Sequence, residues 1–170
     1  MPSVATGAAA ANNSMTYIGV SGDGDSASIG MGQFAHVIRR GLNMVYIVMN
    51  NGCYGLTKGQ DSATADEGSA SKKGDPNPFS SIDLCGMALQ MGATFVARAV
   101  DIDQKNVVDV LERAAAHKGT SVVEIYQNCH VFNDGAFELV SDKKVREENR
   151  VMLQHGEPLI FGAHRDKGIR

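Results

Sequence analysis

Six consecutive apolar residues, Met44-Val45-Tyr46-Ile47-Val48-Met49, set the strongest limit on how this chain folds. A strand with one wet face alternates apolar and polar residues. A run without alternation predicts a strand covered on both faces, as in parallel sheets flanked by helices. The flanking residues agree. Met15 to Val20 is a second short apolar run, which stops at Ser21-Gly22. From Gly30 the period becomes helical: Met31, Phe34, Val37 and Ile38 share a face, and Arg39-Arg40 before Gly41 marks the end. This predicts a strand, helix, strand unit with a right-handed crossover.

The remaining segments extend the same pattern. Val4 to Ala11 reads as the last turns of a helix closing at Asn12-Asn13, with no strand before it, so the chain is expected to begin inside a fold whose first unit is missing. Gly52 to Ser80 is polar, without a period, and stiffened at its end by Asp75-Pro76-Asn77-Pro78; loops of that length are functional or mobile. Ile82 to Met91 predicts a helix stopped by Gly92, and Thr94 to Ala97 a strand. Asp103 is placed to cap a helix whose apolar face holds Val107, Val108, Leu111, Ala114 and Ala115; Ser121 to Tyr126 predicts the last strand. The order predicts a doubly wound, mostly parallel α/β sheet over residues 1–127. Residues 128–170 read as an irregular C-terminal tail, charged from Asp142 to Arg150, that wraps the domain or contacts another subunit.

Composition narrows the partners. A chain of 170 residues, 43% hydrophobic, can bury one core. The 16 basic and 19 acidic residues are interspersed for a net charge of −3, which argues against a nucleic-acid groove or an anionic membrane surface. Cys53, Cys85 and Cys129 are odd in number and far apart, so a reducing, cytoplasmic compartment is expected rather than a disulfide framework. The start has no basic segment followed by an apolar one, and no run reaches about eighteen apolar residues, so neither export nor a membrane span is expected.

The chemistry gathers at Ser21-Gly22-Asp23-Gly24-Asp25 and at Asn50-Asn51. Gly22-x-Gly24-x-x-Ala27 after a strand has the form of a dinucleotide-binding turn. That fold needs Asp or Glu for the ribose about twenty residues on, where this chain has Asn50 and Asn51. Asp23 and Asp25 would also repel a pyrophosphate. A cation between them removes the conflict. Mg²⁺ takes hard oxygens, and diphosphate, the Asp23 carboxylate, the Asn51 amide and the main-chain carbonyl of Cys53 would supply them. No Walker A spacing is present.

Gly22-Asp23-Gly24-Asp25, twenty-four further residues and then Asn50-Asn51 resembles the motif of thiamine diphosphate enzymes. Tyr54-Gly55-Leu56-Thr57-Lys58-Gly59-Gln60, Gly92 to Arg98 and Cys129-His130-Val131-Phe132-Asn133-Asp134 narrow the likeness. They resemble the β subunit of 2-oxoacid:ferredoxin oxidoreductases, most closely the 2-oxoglutarate type, over nearly the whole chain. The resemblance implies the thiamine diphosphate-binding fold, with Asp23, Asn51 and the Cys53 carbonyl as Mg²⁺ ligands. Gly22, Gly24 and Asp25 would line the diphosphate, and Tyr54, Leu56 and Thr57 would lie near the cofactor. Lys58 would face the distal carboxylate of the 2-oxoacid. It also implies an α subunit, coenzyme A as acyl acceptor, ferredoxin as electron acceptor, and Cys129 as the last of four ligands to a [4Fe–4S] cluster.

In the family it resembles, the other three cluster ligands, including a Cys-x-x-Cys pair, lie upstream of where this chain begins, and Cys53 and Cys85 do not stand in their positions. Either the chain is a fragment or it has lost its cluster. Taken alone, Cys85 reads as a small core residue, His36 as a surface or packing residue, and His130 as a strand-end cap or a neighbour of the cluster. Lys58 taken alone reads as solvated, and the Lys143-Lys144 and Glu147-Glu148 run as an exposed helical face. A non-oxidative thiamine diphosphate decarboxylase and a silent chain that only binds a partner subunit remain as alternatives.

Overall fold

The computed structural model describes residues 1–69 and 75–169, so part of the long polar loop lies outside the described residues. The elements are α1 Pro2–Ala11, β1 Tyr17–Gly22, a π-helical turn Gly24–Ile29, α2 Met31–Arg40, β2 Met44–Asn50, β3 Cys53–Tyr54, β4 Gln60–Asp61, α3 Leu84–Gln90, β5 Phe95–Val100, α4 Gln104–Ala116 and β6 Thr120–Tyr126. After them come α5 Glu138–Ser141, α6 Arg146–Asn149, β7 Ile160–Phe161 and β8 Lys167–Gly168. The chain divides into two compact units, Met1–Ala136 and Phe137–Arg170. Residues 128–136 therefore belong with the first unit.

In the first unit four strands pair in parallel in the order β1-β2-β6-β5. Alternate side chains of β2 enter different cores, which is why its run does not alternate. Met44, Tyr46 and Val48 pack with Phe34, Val37 and Ile38 of α2 and with Leu84 and Ala88 of α3. Val45 and Ile47 pack on the other face with Val123 and Ile125 of β6 and Val110 and Ala114 of α4. Burial of each large apolar side chain stabilises by about 1.5–3 kcal/mol. Helices therefore cover both faces of a doubly wound sheet. Gly41 ends α2 in the left-handed region, φ 62°, where the absent Cβ removes the steric cost.

Several boundaries differ from expectation for tertiary reasons. β1 runs on through Ser21 and Gly22 because they pair with Val48 and Met49 of β2. α3 starts at Leu84 rather than Ile82, because the Ile82 N–H donates to the Ala63 carbonyl (2.8 Å) instead of joining the helix. β5 continues to Val100 through its pairing with β6. The buried side of α4 holds Val110 and Ala114, while Val108 and Ala115 face outward. Asp103 does cap α4, accepting from the Asn106 N–H at 3.4 Å.

The second unit holds two four-residue helices and the antiparallel pair β7 and β8. Lys143-Lys144 precede α6 rather than sharing a helical face with Glu147-Glu148. Glu148 instead ties the unit together, pairing with Lys167 Nζ at 2.8 Å and accepting from the Ala163 N–H at 2.8 Å. Among the described residues no helix is long and apolar enough to cross a membrane.

Candidate cofactor and metal site

Parallel pairing of β1 and β2 brings the turns after both strands to one edge of the sheet, where ligands of open α/β sheets bind. After Gly22 the chain enters the π-helical turn, closed by the Gly30 N–H donating to the Asp25 carbonyl at 2.7 Å. A Cβ on Gly30 would lie 2.2 Å from that carbonyl oxygen, so only glycine allows the closure. Ser26 Oγ meets the buried Tyr46 hydroxyl at 3.1 Å, which fastens the turn to β2. A helical N-terminus with Gly22 before it offers backbone N–H groups to an anion.

Asp23 is 2% exposed. Its Oδ2 accepts from the hydroxyls of Ser62 and Thr64, the latter at 2.7 Å. Its Oδ1 receives the Asn51 N–H at 3.5 Å, a long contact that leaves lone pairs for a cation. The donors to this buried carboxylate are neutral, so a dication beside it would offset the cost of the buried charge. Asn51 Oδ1 accepts from the Cys53 N–H at 3.1 Å, and the Asn51 carbonyl accepts from Asn133 Nδ2 at 2.8 Å. Gly52, at φ 71°, makes the sharp bend between them. A carboxylate, an amide oxygen and a nearby main-chain carbonyl are a hard-oxygen donor set, which fits Mg²⁺.

Tyr54 links the two turns. Its hydroxyl donates to the Gly24 carbonyl at 3.0 Å, and its ring lies so close that a Cβ on Gly24 would sit 2.3 Å from it. Gly24 therefore makes room for a protein ring, besides any part in lining diphosphate. Asp25 is exposed, with Oδ2 3.8 Å from where a Gly22 Cβ would be. Leu56, Thr57 and Lys58 form the tip of a turn closed by Lys58 N–H to Gly55 O (3.1 Å) and Gly59 N–H to Tyr54 O (2.8 Å). Leu56 is 99% exposed, and Lys58 holds φ at 87°, an uncommon backbone state for a residue with a side chain.

The Cys129 to Asn133 loop packs on this hairpin: Phe132 lies against Gly59, where a Cβ would meet its ring at 2.5 Å. The Cys53 and Cys129 thiols lie close enough to act on each other's ionisation. Burial first, then the Cys129 partner and the Asp23 charge, push the Cys53 thiol up to about 12. Cys129 pays a desolvation cost, yet the N–H groups of Phe132 and Val131 hold its thiol below the ordinary value. Cys85 instead lies against Glu124, at 3.4 Å from Oε2, and burial pushes it up to about 12. It is partly exposed and hydrogen-bonded rather than a fully buried packing residue. Among the described residues no three His, Cys, Asp or Glu side chains are grouped to hold a metal, so a four-thiolate cluster does not fit this chain by itself. His36 is exposed, and His130 pairs with Asp134 at 3.4 Å.

Sequence reasoning missed Ser62, Thr64 and Glu124. The first two come from the aperiodic loop, 39 and 41 residues after Asp23, and carry no local signal. Glu124 does: a lone charge among Val122, Val123 and Ile125 of β6 marks a buried, partnered carboxylate.

Residues 1–125 match the family described as thiamine pyrophosphate enzyme, C-terminal TPP binding domain. The chain is 42% identical over 167 residues to the 2-oxoglutarate oxidoreductase subunit KorB of Mycobacterium tuberculosis, covering 96% of this chain and 44% of that protein. It is 39% identical over 142 residues to the 2-oxoacid:ferredoxin oxidoreductase subunit beta of Saccharolobus solfataricus, covering 83% of this chain and 47% of that one. Among solved structures it resembles the 2-oxoglutarate:ferredoxin oxidoreductase from Magnetococcus marinus with 2-oxoglutarate, coenzyme A and succinyl-CoA bound. That match has a TM-score of 0.77 and 34% identity, and covers 79% of this chain and 47% of that one. The chain thus spans less than half the length of these relatives. With its Asp23 and Asn51 turns on a parallel sheet edge, the chain belongs to the thiamine pyrophosphate enzymes, in the line of 2-oxoacid:ferredoxin oxidoreductase β subunits.

Proposed function

We propose that this chain is the Mg²⁺–thiamine diphosphate core of a β subunit that, with an α subunit, carries out coenzyme A-dependent oxidative decarboxylation of 2-oxoglutarate and passes the electrons to ferredoxin. The observation that carries this is the meeting of Asp23 and Asn51 at adjacent strand ends, with the Asn51 N–H 3.5 Å from Asp23 Oδ1. Bound thiamine diphosphate supplies a nucleophilic carbon for the keto group and a sink for the electrons left by decarboxylation.

The chain's own residues position and neutralise. Asp23 contributes one negative charge, and the Asn51 amide and Cys53 carbonyl are neutral, so a dication held by the three keeps a net positive charge toward a diphosphate. Gly22, Gly24 and Asp25 border that diphosphate, and Tyr54 locks the two turns in register. Leu56 and Thr57 present an exposed edge to the cofactor and the α subunit. Lys58 offers an ammonium to the distal carboxylate of the substrate. In a full-length subunit Cys129 would be one ligand of a [4Fe–4S] cluster, whose other ligands are not grouped with it among the described residues, and the tail from residue 128 contacts the partner subunit.

The test is reduction of a viologen dye by 2-oxoglutarate and coenzyme A with the α subunit present. Dye reduction that depends on both reagents is expected. Release of carbon dioxide without dye reduction would replace the proposal with a non-oxidative decarboxylase. Failure to take up thiamine diphosphate in the complex would leave a chain that only binds its partner.

A further inference from the structure

Behind the metal turn lies a second polar chain, buried in the sheet and unused by the proposed chemistry. Glu124, 1% exposed in the central strand β6, accepts from Asn50 Nδ2 at 2.7 Å through Oε1 and from Arg98 Nε at 2.6 Å through Oε2. Arg98 reaches on to Asp83 at 2.7 Å and stacks over the Tyr126 ring at 5.0 Å, and the Cys85 thiol donates to Glu124 Oε2 at 3.4 Å. On the other side, Asn50 Oδ1 accepts from the Gly52 N–H at 3.1 Å and from the Thr64 hydroxyl at 2.9 Å. Thr64 also reaches Asp23 Oδ2 at 2.7 Å.

We infer that Glu124 is a positioning residue for the metal site: through the amide of Asn50 it fixes the 50–53 turn that presents Asn51 and the Cys53 carbonyl. The inference rests on the assignment of Asp23 and Asn51 to Mg²⁺. An asparagine amide fits its space in two orientations, with oxygen and nitrogen exchanged. A carboxylate paired with Arg98 only accepts, so it holds Nδ2 and turns Oδ1 toward Gly52 and Thr64. Reversal would aim an NH₂ group at the Gly52 N–H and strip the support from the bend at φ 71°. The Thr64 hydroxyl has one proton and three acceptors in reach, Asp23 Oδ2, Asn50 Oδ1 and Ser62 Oγ, so the orientation of the Asn50 amide bears on how often it serves Asp23.

Glu124→Gln probes this with almost no change of shape. A glutamine can accept from Arg98 and also meet Asn50 only by presenting its NH₂ to it, which turns the Asn50 amide over. The experiment uses the complex with the α subunit, titrating Mg²⁺ calorimetrically at saturating thiamine diphosphate. E124Q is expected to weaken Mg²⁺ binding about 10–100-fold, the range seen when partners behind metal ligands are changed. Turnover at saturating Mg²⁺ should stay near the wild-type value, a split that general misfolding does not produce.

In an Asn50→Ala background, E124Q should change Mg²⁺ affinity by less than about twofold, because the carboxylate then has no amide to orient. Equal losses in both backgrounds, or an E124Q affinity within about twofold of wild type, would overturn the inference. Should E124Q not fold, Glu124→Asp, which draws the carboxylate back from the Asn50 amide, crossed with Asn50→Ala carries the same comparison. A wild-type complex that takes up thiamine diphosphate without Mg²⁺, or not at all, would overturn the metal assignment itself.

Discussion

Gly24→Ala measures how tightly the two turns are locked. The added Cβ would stand 2.3 Å from Tyr54 Cε1 and 2.5 Å from Cζ, whereas non-bonded carbons rest about 3.5–4.0 Å apart. The ring must therefore withdraw by more than about 1 Å, which breaks the hydrogen bond from its hydroxyl to the Gly24 carbonyl. Overpacking costs about 1–3 kcal/mol and the lost bond about 1 kcal/mol, while alanine returns about 1 kcal/mol of helical preference. The net expectation is a loss of about 2 kcal/mol. At about 2–4 °C per kcal/mol for a chain of this size, the melting temperature should fall by about 4–8 °C. Thermal and urea unfolding of the metal-free protein read it. With Tyr54→Ala the same substitution should lose its cost and become neutral or slightly stabilising. A melting point at or above wild type, or an equal penalty in both backgrounds, would refute the close packing of Tyr54 on Gly24.

Lys58→Met should raise KM for 2-oxoglutarate about tenfold or more in the assembled enzyme, with less effect on pyruvate, as steady-state kinetics on both substrates would show. At mildly alkaline pH a small alkylating agent should modify Cys129 well before Cys53, followed by mass spectrometry, since one thiol is held low and the other is pushed up to about 12. Stability should also fall as pH rises from about 9 toward about 12. Burial pushes the Cys53 and Cys85 thiols up to about 12 in the folded chain, so the unfolded state releases their protons first and is favoured as pH rises. Denaturant midpoints across that range, flattened in Cys85→Ala, would check the sign.

Much of the scaffold is legible locally because its causes are local. The unbroken run at Met44 marks a strand with two covered faces, and Phe34, Val37 and Ile38 mark the buried side of α2. The misses have distant causes. Nothing near Ser21 and Gly22 announces that they belong to β1; their pairing with Val48 and Met49 does. The late start of α3 depends on the Ala63 carbonyl, nineteen positions before Ile82. On α4 a shift of about one residue in the helical phase exchanges Val108 for Val110, because packing against β6 rather than the apolar count sets the rotation. The Asp23 and Asn51 pair is legible because a strand, helix, strand unit returns both turns to one edge. Ser62 and Thr64 reach Asp23 from a loop without a period, and the contact of Cys53 with Cys129 depends on how the 129–133 loop settles over Gly52 and Gly59.

Calorimetry of thiamine diphosphate binding with and without Mg²⁺, on the complex with its α subunit, asks whether Asp23 and Asn51 hold a dication for a diphosphate. Wild type should bind only with Mg²⁺, and Asp23→Ala should abolish that binding while the complex still assembles. Unchanged binding by Asp23→Ala would contradict the assignment.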